Sequence, residues 1–448
     1  MFFNPGPFTI FLSAVSVYSL DASLCSSNKF NKIMGIVLFI AAIPIVLITL
    51  SRSAWLGLIA GGLLVFTVRF QLLQKLNRWC SNTIIKAIGL FMLFFVIFLS
   101  GFCLYHLKKD SADGRKLIWK ISSNIIHDSP FNGIGQDRFA ARFIEYQSAY
   151  FKENPDRIST EGRLSGTAYY AFNDVLQITV EQGITGSILF LVVMLITSKY
   201  CRSLINSKHK TPIDRGTLIG AMASIVVIGV SGLTAYPLVM LPIIILFFNA
   251  LGIISAAYSN TFSNSPFIKP GNKIFSAIVL ISAASLIFYS LALGRVYYIA
   301  KFIVNNGYEN DPEVMIKLMR YRELIRTEEW YVTRQCDYLL NKEQYQKAVM
   351  EMEKAKQVTA NSAIYYSLAE VYTYQRQYYK AEKQLMFLYY ALPGLIAPKY
   401  YLAKFYYRTN QKKKWHNAAI EVIRFNPKIN SNTTTEMIND IKKLYFKY

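Results

Sequence analysis

Residues 33–50, IMGIVLFIAAIPIVLITL, carry no charge and lead directly into Ser51-Arg52-Ser53-Ala54-Trp55-Leu56-Gly57. About 20 apolar residues are enough for a helix to cross the hydrocarbon core of a bilayer. The run therefore predicts a membrane span, with an arginine directly after it.

Similar apolar stretches recur along the first 300 residues. Eight segments qualify as spans: 7–24, 33–50, 54–70, 87–106, 176–198, 216–235, 237–257 and 273–295. The fifth has a polar start, which predicts a surface helix leading into the span. Mean hydropathy is +0.26 for the whole chain, but the apolar runs stop near residue 300. We predict an all-α protein, with a polytopic membrane helix bundle at 1–298 and a soluble helical domain at 299–448.

Basic residues collect in alternate loops: those between spans one and two, three and four, five and six, and seven and eight. Short loops rich in lysine and arginine face the cytoplasm. The 107–172 loop, with 10 basic and 8 acidic residues, is nearly balanced and is expected outside together with Arg52. This orientation also puts Met1 outside without a signal peptide, so we expect further spans upstream of it.

The 107–172 loop is too long for a plain connection. In residues 113–127 the positions of Leu117, Ile118, Ile121 and Ile125 form one helical stripe, which predicts an amphipathic helix lying at the membrane interface. Pro130 and the glycines after it end this helix. Charged residues in 136–158 predict a second, solvated helix.

Arg52 and Arg115 fall on the same predicted side of the membrane. A guanidinium is permanently charged and binds phosphate oxygens in pairs. A shared phosphate or pyrophosphate ligand is therefore our first hypothesis. The alternative for each arginine is contact with lipid headgroups.

The net charge of +22 is explained by basic loops beside spans, and no nucleic-acid module is present, so we exclude a nucleic-acid partner. The five cysteines and four histidines lack metal-ligand spacing. We predict no metal site, no cofactor and no disulfide framework. Gly133-Ile134-Gly135 lacks the remaining residues of a phosphate-binding loop.

Several motifs, taken in order, resemble the O-antigen ligase superfamily of integral-membrane glycosyltransferases. They are Asn4-Pro5, Ser51-Arg52-Ser53-Ala54-Trp55, Gly114-Arg115-x-x-Ile118-Trp119, Ser129-Pro130-Phe131-Asn132-Gly133-Ile134-Gly135, and Asn173-Asp174-x-Leu176-Gln177-x-x-x-Glu181-x-Gly183-x-x-Gly186. Their order and shared side make the set more specific than any single motif. The resemblance covers about residues 1–257.

This resemblance implies a bacterial inner-membrane enzyme that acts on the periplasmic face. It implies transfer of a glycan from undecaprenyl pyrophosphate to a hydroxyl of lipopolysaccharide core, protein or a lipid-linked glycan. Arg52 and Arg115 would bind the donor pyrophosphate and stabilise it as it leaves. The sugar and the acceptor are left open.

One departure concerns the acceptor. Members of the superfamily usually carry a histidine just before the asparagine of the Asn-Asp/Glu motif, whereas this chain has Phe172, which cannot accept a proton. The remaining candidates for catalysis or acceptor binding are Asp174, Asn173, Tyr170, Glu181, Glu161 and His127. Asp174 is also explained as a helix N-terminal acid, and Asn173 as a cap.

Residues 300–448 contain a repeat that resembles tetratricopeptide repeats. Gln344-Tyr345-Gln346-Lys347-Ala348 recurs as Gln377-Tyr378-Tyr379-Lys380-Ala381, and Lys414-Trp415-His416-Asn417-Ala418 is interpreted as a third copy. The region is expected in the periplasm, either as a docking surface for a partner or acceptor or as a cap on the outer loop. The tyrosines near 365, 372, 400 and 406 are interpreted as packing, with a sugar platform as the alternative.

Two rivals remain besides the ligase: an O-antigen polymerase, and a non-catalytic membrane scaffold that binds partners through the repeats. A transporter is disfavoured because we expect no span to carry paired buried charges.

Overall fold

The computed structural model describes residues 4–72, 105–106, 109–206, 215–261, scattered positions between 277 and 298, 329–427 and 431–447. Within these residues the regular structure is helical, and no strand occurs. The chain divides into two compact units: Met1–Phe139 with Tyr170–Ser265, and Ala140–Tyr169 with Pro266–Tyr448.

The first unit contains seven of the described α-helices. They are α1 (Pro5–Cys25), α2 (Lys29–Ile48), α3 (Arg52–Arg69), α4 (Lys109–Asp128), α6 (Asp174–Asn206), α7 (Arg215–Gly232) and α8 (Leu241–Thr261). Helix α5 (Phe139–Glu153) has only its first residue in the first unit and otherwise belongs to the second. Five of these, α1, α2, α3, α6 and α8, are long and apolar enough to span a membrane. They match five predicted spans.

The other three predicted spans have different outcomes. The sixth corresponds to α7, whose apolar part, Thr217–Gly232, is shorter than a full span. The predicted span 87–106 lies almost entirely outside the described residues, and 273–295 is described only at scattered positions. The count of eight and the orientation stay predictions.

Close packing of α1, α3 and α7 forms the core of the first unit. Ser231 donates its hydroxyl to the Ser53 carbonyl at 3.0 Å, and Ser224 donates to the Ala14 carbonyl at 3.0 Å. Gly57 and Gly61 lie against Val227, where a side chain would collide. Small residues of this kind allow membrane helices to approach closely.

A buried ion pair joins the ends of α1 and α3 that lie away from Arg52. Arg69 Nε lies 2.6 Å from Asp21 Oδ1, and Arg69 Nη2 donates to Asp21 Oδ2 at 3.1 Å. The Asp21 side chain is fully buried. Our expectation that no span carries paired buried charges was therefore wrong. Removing one partner would leave an uncompensated buried charge, at a cost of about 3–5 kcal/mol.

Helix α6 contains a break, as its polar start predicted. Gly183 has φ 69° and ψ −172°, a conformation open essentially to glycine alone. Residues before it form a short helix, and the apolar run begins after it. This break receives part of the 107–172 loop, which we call the outer loop after its predicted side, as described below.

The prediction that α4 lies on the membrane interface was wrong in its main point. The helix forms and its stripe is apolar, but Leu117, Ile121 and Ile125 are buried within the protein, at 5%, 0% and 0% exposure. Ile118, the fourth residue of the stripe, is half-buried, so most of this face is covered by protein and not by lipid headgroups. The stripe instead packs inside the first unit, partly against α6.

Helix α5 is also less solvated than predicted. Phe143, Ile144 and Phe151 are almost fully buried. Gln147 Nε2 donates to the Ala391 carbonyl, and Ser148 donates its hydroxyl to the Phe387 carbonyl at 3.0 Å. The outer-loop segment 140–169 thus shares a core with the C-terminal helices, which supports the interpretation of the tail as a cap on this loop.

The remaining helices of the second unit pack one against the next. They are α9 (Glu329–Asn341), α10 (Tyr345–Ala355), α11 (Ser362–Tyr374), α12 (Tyr378–Ala391), α13 (Ile396–Arg408), α14 (Lys412–Ile423) and α15 (Asn432–Lys447). Among the described residues, Cys336 of this unit forms no disulfide, and neither do Cys25 and Cys201 of the first unit.

The turns between paired helices have the same geometry in three places. Glu343, Arg376 and Asn410 each adopt a left-handed conformation, with φ of 58°, 61° and 56°. The next residue is a glutamine in each copy, and its N–H donates back to a carbonyl five positions earlier, at 2.8–2.9 Å. The geometry recurs after 33 and then 34 residues. Assignment to the tetratricopeptide family stays a prediction.

This geometry corrects the position of the third copy. The turn places it at Gln411–Trp415 rather than at 414–418. Trp415 therefore occupies the place of Ala348 and Ala381, both of which are fully buried. The third helix pair accepts a large side chain where the first two keep a small one.

Candidate functional site

Arg52 and Arg115 lie close enough in the first unit to act on each other. Arg52 opens α3, and the Ser51 side chain before it makes no capping hydrogen bond. Burial lowers the pKa of Arg115, and the positive charge of Arg52 lowers it further. Two cations in one partly buried place repel each other, so an anion between them would relieve that repulsion.

The helix starts add further positive potential near Arg52. A side chain on Gly6, in the first turn of α1, would lie 3.9 Å from the Ser51 hydroxyl, so α1 and α3 begin side by side. The N–H groups at a helix start carry partial positive charge and attract phosphate. The site therefore combines two guanidinium groups with two neighbouring helix N-termini.

An aromatic cluster of Tyr170, Phe172 and Tyr236 borders the arginines. Tyr236 stacks on Tyr170 at a centroid distance of 4.4 Å and meets Phe172 edge-on at 5.1 Å. Arg115 Cζ lies 5.4 Å from the Phe172 ring centroid, a cation–π contact. The residue that takes the usual histidine position thus holds one of the two arginines in place.

Tyr236 is the site residue that sequence reasoning missed. Its side chain is buried, and its hydroxyl accepts a hydrogen bond from Asn4 Nδ2 at 3.2 Å. The only signal in the sequence was its position beside Pro237 in a short loop predicted to face outward. Burial raises the pKa of Tyr236 and also that of Tyr170. Both therefore stay protonated at neutral pH and donate hydrogen bonds rather than accept protons.

The backbone holds Phe172 in an unusual conformation. Its φ is 53°, in the left-handed region that bulky residues rarely enter. Ala171 fixes the preceding peptide, because its N–H donates to Gln177 Oε1 at 2.7 Å and its carbonyl accepts from Trp119 Nε1 at 2.9 Å. The loop before α6 is thus tied to both α4 and α6.

Asn173 and Asp174 connect this loop to the loop that carries Tyr236. Asn173 caps α6, since its Oδ1 accepts from the Leu176 N–H at 3.0 Å, and its Nδ2 donates to the Leu233 carbonyl at 3.1 Å. Asp174 Oδ2 accepts from the Leu238 N–H at 3.3 Å. Both hydrogen bonds bracket Tyr236. The geometry favours a positioning role for the two residues.

The surroundings of Asp174 also differ from those of an accessible base. The residue is 5% exposed and packs against Gly232. In the described part of the structure its Oδ1 has no hydrogen-bond partner. A buried carboxylate oxygen of this kind is costly unless the surrounding structure fixes it.

Glu181 lies where the outer loop docks on the break in α6. Ile134 N–H donates to the Val180 carbonyl at 3.0 Å, Gly135 N–H donates to the Glu181 carbonyl at 2.9 Å, and Ile184 N–H donates to the Pro130 carbonyl at 2.8 Å. Gln177 Nε2 donates to Glu181 Oε1 at 2.8 Å. Glu181 is thus a hydrogen-bonded part of this junction.

The same junction explains the glycines of the outer-loop motif. A side chain on Gly133 would lie 2.5 Å from the Glu181 carbonyl, and one on Gly183 would overlap the Phe131 carbonyl. Gly133 and Gly135 also have positive φ, at 64° and 93°. Gly133-Ile134-Gly135 is therefore a backbone docking element.

The other two candidates from the outer loop lie apart from these contacts. Glu161 belongs to the second unit, where Tyr150 donates to its Oε2 at 2.6 Å and Arg157 Nη1 lies 3.2 Å from its Oε1. His127 is exposed and lies 3.1 Å from Asp128. Through these contacts Glu161 stabilises a surface turn of the second unit.

Part of the chain matches the model of a known protein family. Residues 37–191 match the O-antigen ligase family model. The matched region includes Arg52, Arg115 and the Asn173-Asp174 pair but ends before Tyr236. The O-antigen ligase match and the five apolar helices support a multi-pass membrane protein of the ligase or polymerase type. No curated protein matches the chain.

Proposed function

We propose that this protein transfers a glycan from undecaprenyl pyrophosphate to a hydroxyl group of an acceptor on the periplasmic face of the bacterial inner membrane. The observation that carries this proposal is the pairing of Arg52, at the start of α3 beside the start of α1, with Arg115 of α4. The O-antigen ligase match over residues 37–191 supports the reaction class. Lipopolysaccharide core and protein are the acceptors we favour.

The arginines would act on the leaving group. As the bond from the sugar to pyrophosphate breaks, negative charge grows on the phosphate oxygens. Arg52 and Arg115 are already oriented, so they stabilise this charge without reorganisation. The mutual repulsion of the two cations falls when the anion binds, which favours both donor binding and departure of the diphosphate.

The aromatic cluster would hold the sugar side of the site. Tyr170 and Tyr236 are protonated and offer hydroxyl donors, and Phe172 offers an apolar ring. Since Phe172 cannot accept a proton, rate acceleration would depend on leaving-group stabilisation more than on activation of the acceptor.

Product analysis tests the proposal. Purified full-length protein is incubated with undecaprenyl-pyrophosphate-linked glycan and with lipopolysaccharide core or acceptor protein. We expect glycan attached to the acceptor and free undecaprenyl pyrophosphate. Lengthening of the lipid-linked glycan alone would instead identify a polymerase. Absence of either product, with a stable partner bound through 299–448, would favour the scaffold.

Variants at Asp174 separate a positioning role from a catalytic one. Asp174→Asn keeps an oxygen that accepts from the Leu238 N–H, so we expect transfer within about threefold of wild type. Asp174→Ala loses this hydrogen bond, so we expect less transfer. We also expect its free energy of unfolding to fall by about 1–3 kcal/mol. If Asp174 is a general base, Asp174→Asn will instead lose about 100-fold or more, and the positioning role fails.

A further inference from the structure

A groove on the second unit has the chemistry of a sugar-binding site. It lies between α11 and α13 and encloses about 130 Å³. Its lining includes Tyr366, Thr373, Tyr401, Lys404 and Arg408. We call it the tyrosine groove. It lies wholly within the second unit.

Two of the tyrosines in this groove differ from the others nearby. Tyr366 and Tyr401 have ring centroids 4.3 Å apart, inclined at 36°, and Tyr401 is 41% exposed. Tyr365, Tyr372 and Tyr406 are instead buried in the helix packing. Packing therefore explains most of the tyrosine pattern, while Tyr401 stays partly exposed at the groove even though it contacts Tyr366 and Tyr400.

The charged groups at the rim are already paired. Lys404 Nζ lies 3.0 Å from Asp440 Oδ2, and Arg408 Nη1 lies 3.4 Å from Glu370 Oε1. A charged ligand would have to compete with these partners. A neutral ligand with many hydroxyl groups can use the paired groups as donors and acceptors where they stand.

We propose that the tyrosine groove binds one neutral sugar ring of a glycan chain, packed on the exposed part of the Tyr401 ring. A volume of about 130 Å³ is a few times that of a water molecule, which suits a single ring and not a longer segment. The identity of the ligand class rests on the proposed function, whereas the binding residues are separate from Arg52 and Arg115. The groove would retain part of a glycan chain on the second unit.

Direct binding tests the groove apart from catalysis. The probe is polysaccharide isolated from the surface of the source cells and freed of its lipid and phosphate carrier. Full-length protein in neutral-lipid nanodiscs is titrated with it by calorimetry. We expect Tyr401→Ala to weaken binding at least tenfold and Tyr401→Phe, which keeps the ring, to stay within threefold.

Tyr379→Ala is the matched control, because Tyr379 is 81% exposed and lies on α12 outside the groove lining. Wild-type protein that fails to bind the polysaccharide, or Tyr401→Ala that binds as well as Tyr379→Ala, overturns the proposal. So does wild-type protein that binds peptides but not the polysaccharide.

The two proposals fail in different ways. If Tyr401→Ala loses binding and the wild type shows no transfer, the sugar-binding groove is supported and the proposed transfer activity is excluded. If the wild type shows transfer and Tyr401→Ala binds as well as the wild type, the transfer activity is supported and the sugar-binding groove is excluded. An unchanged melting temperature for Tyr401→Ala shows that the variant is folded.

Discussion

Replacing Arg52 or Arg115 by alanine should reduce glycan transfer by at least about 100-fold, the scale expected for removing one preorganised donor from a developing anion. Arg115 is the more sensitive of the two, because it is partly buried and fixed by the Phe172 ring. Binding of undecaprenyl pyrophosphate should weaken in parallel. Arg115→Lys keeps the charge but loses the paired contact, so we expect an intermediate loss.

Arg142→Ala is the matched control for the arginine variants. Arg142 is exposed and pairs with Glu145 at 2.7 Å on α5, and a surface pair of this kind contributes about 1 kcal/mol at most. Transfer is measured with purified, lipid-reconstituted protein, after chromatography shows that each variant is folded. Transfer by both alanine variants at the level of Arg142→Ala would exclude the pyrophosphate hypothesis.

Gly183→Ala should have the largest effect on folding. The glycine conformation costs an alanine about 1–3 kcal/mol, and the added methyl group would overlap the Phe131 carbonyl. The hydrogen bond from Ile184 to Pro130 would be lost as the loop moves away. We expect a loss of at least about 3 kcal/mol in unfolding free energy, read as a clear drop in the melting temperature of the protein in detergent.

The control for this change is Gly229→Ala, on α7. A methyl group there meets nothing within 4 Å, and its φ is not left-handed. Alanine is favoured over glycine within helices, so this variant should melt at or above the wild-type temperature. If Gly183→Ala has the same melting temperature as Gly229→Ala, the break in α6 does not hold the outer loop in place.

The sequence predicted the elements of the candidate site better than their arrangement. Arg52 and Arg115 were identified because a guanidinium on the predicted outer side of a span opposes the usual charge distribution, and the structure brings their charges together. Tyr236 and Asn4 were missed as partners because they lie 232 residues apart and nothing local to either indicates the other. The same applies to the Asp21–Arg69 pair.

Two segments had the right secondary structure and the wrong surroundings. The stripe on α4 indicates an apolar face but not what covers it, and a bilayer surface and a protein core demand the same spacing. Helix α5 carries charges at Arg142 and Glu145, and these led to the prediction of a solvated helix. Its opposite, aromatic face is buried within the second unit. The periodicity of apolar residues indicates that one face of a helix is buried, but it does not indicate which surface covers that face.

By itself, the sequence predicted the helical class, five helices that are long and apolar enough to span a membrane, and segments that recur after 33 and 34 residues. These follow from local rules, because backbone groups in hydrocarbon must bond within their own helix and each repeated helix pair is built from a similar local sequence. The tertiary structure alone decided that Tyr236 joins the arginines, that Gly183 receives the outer loop and that residues 140–169 pack with the C-terminal helices. Those contacts depend on the shapes of surfaces far apart in the chain, which no local pattern encodes.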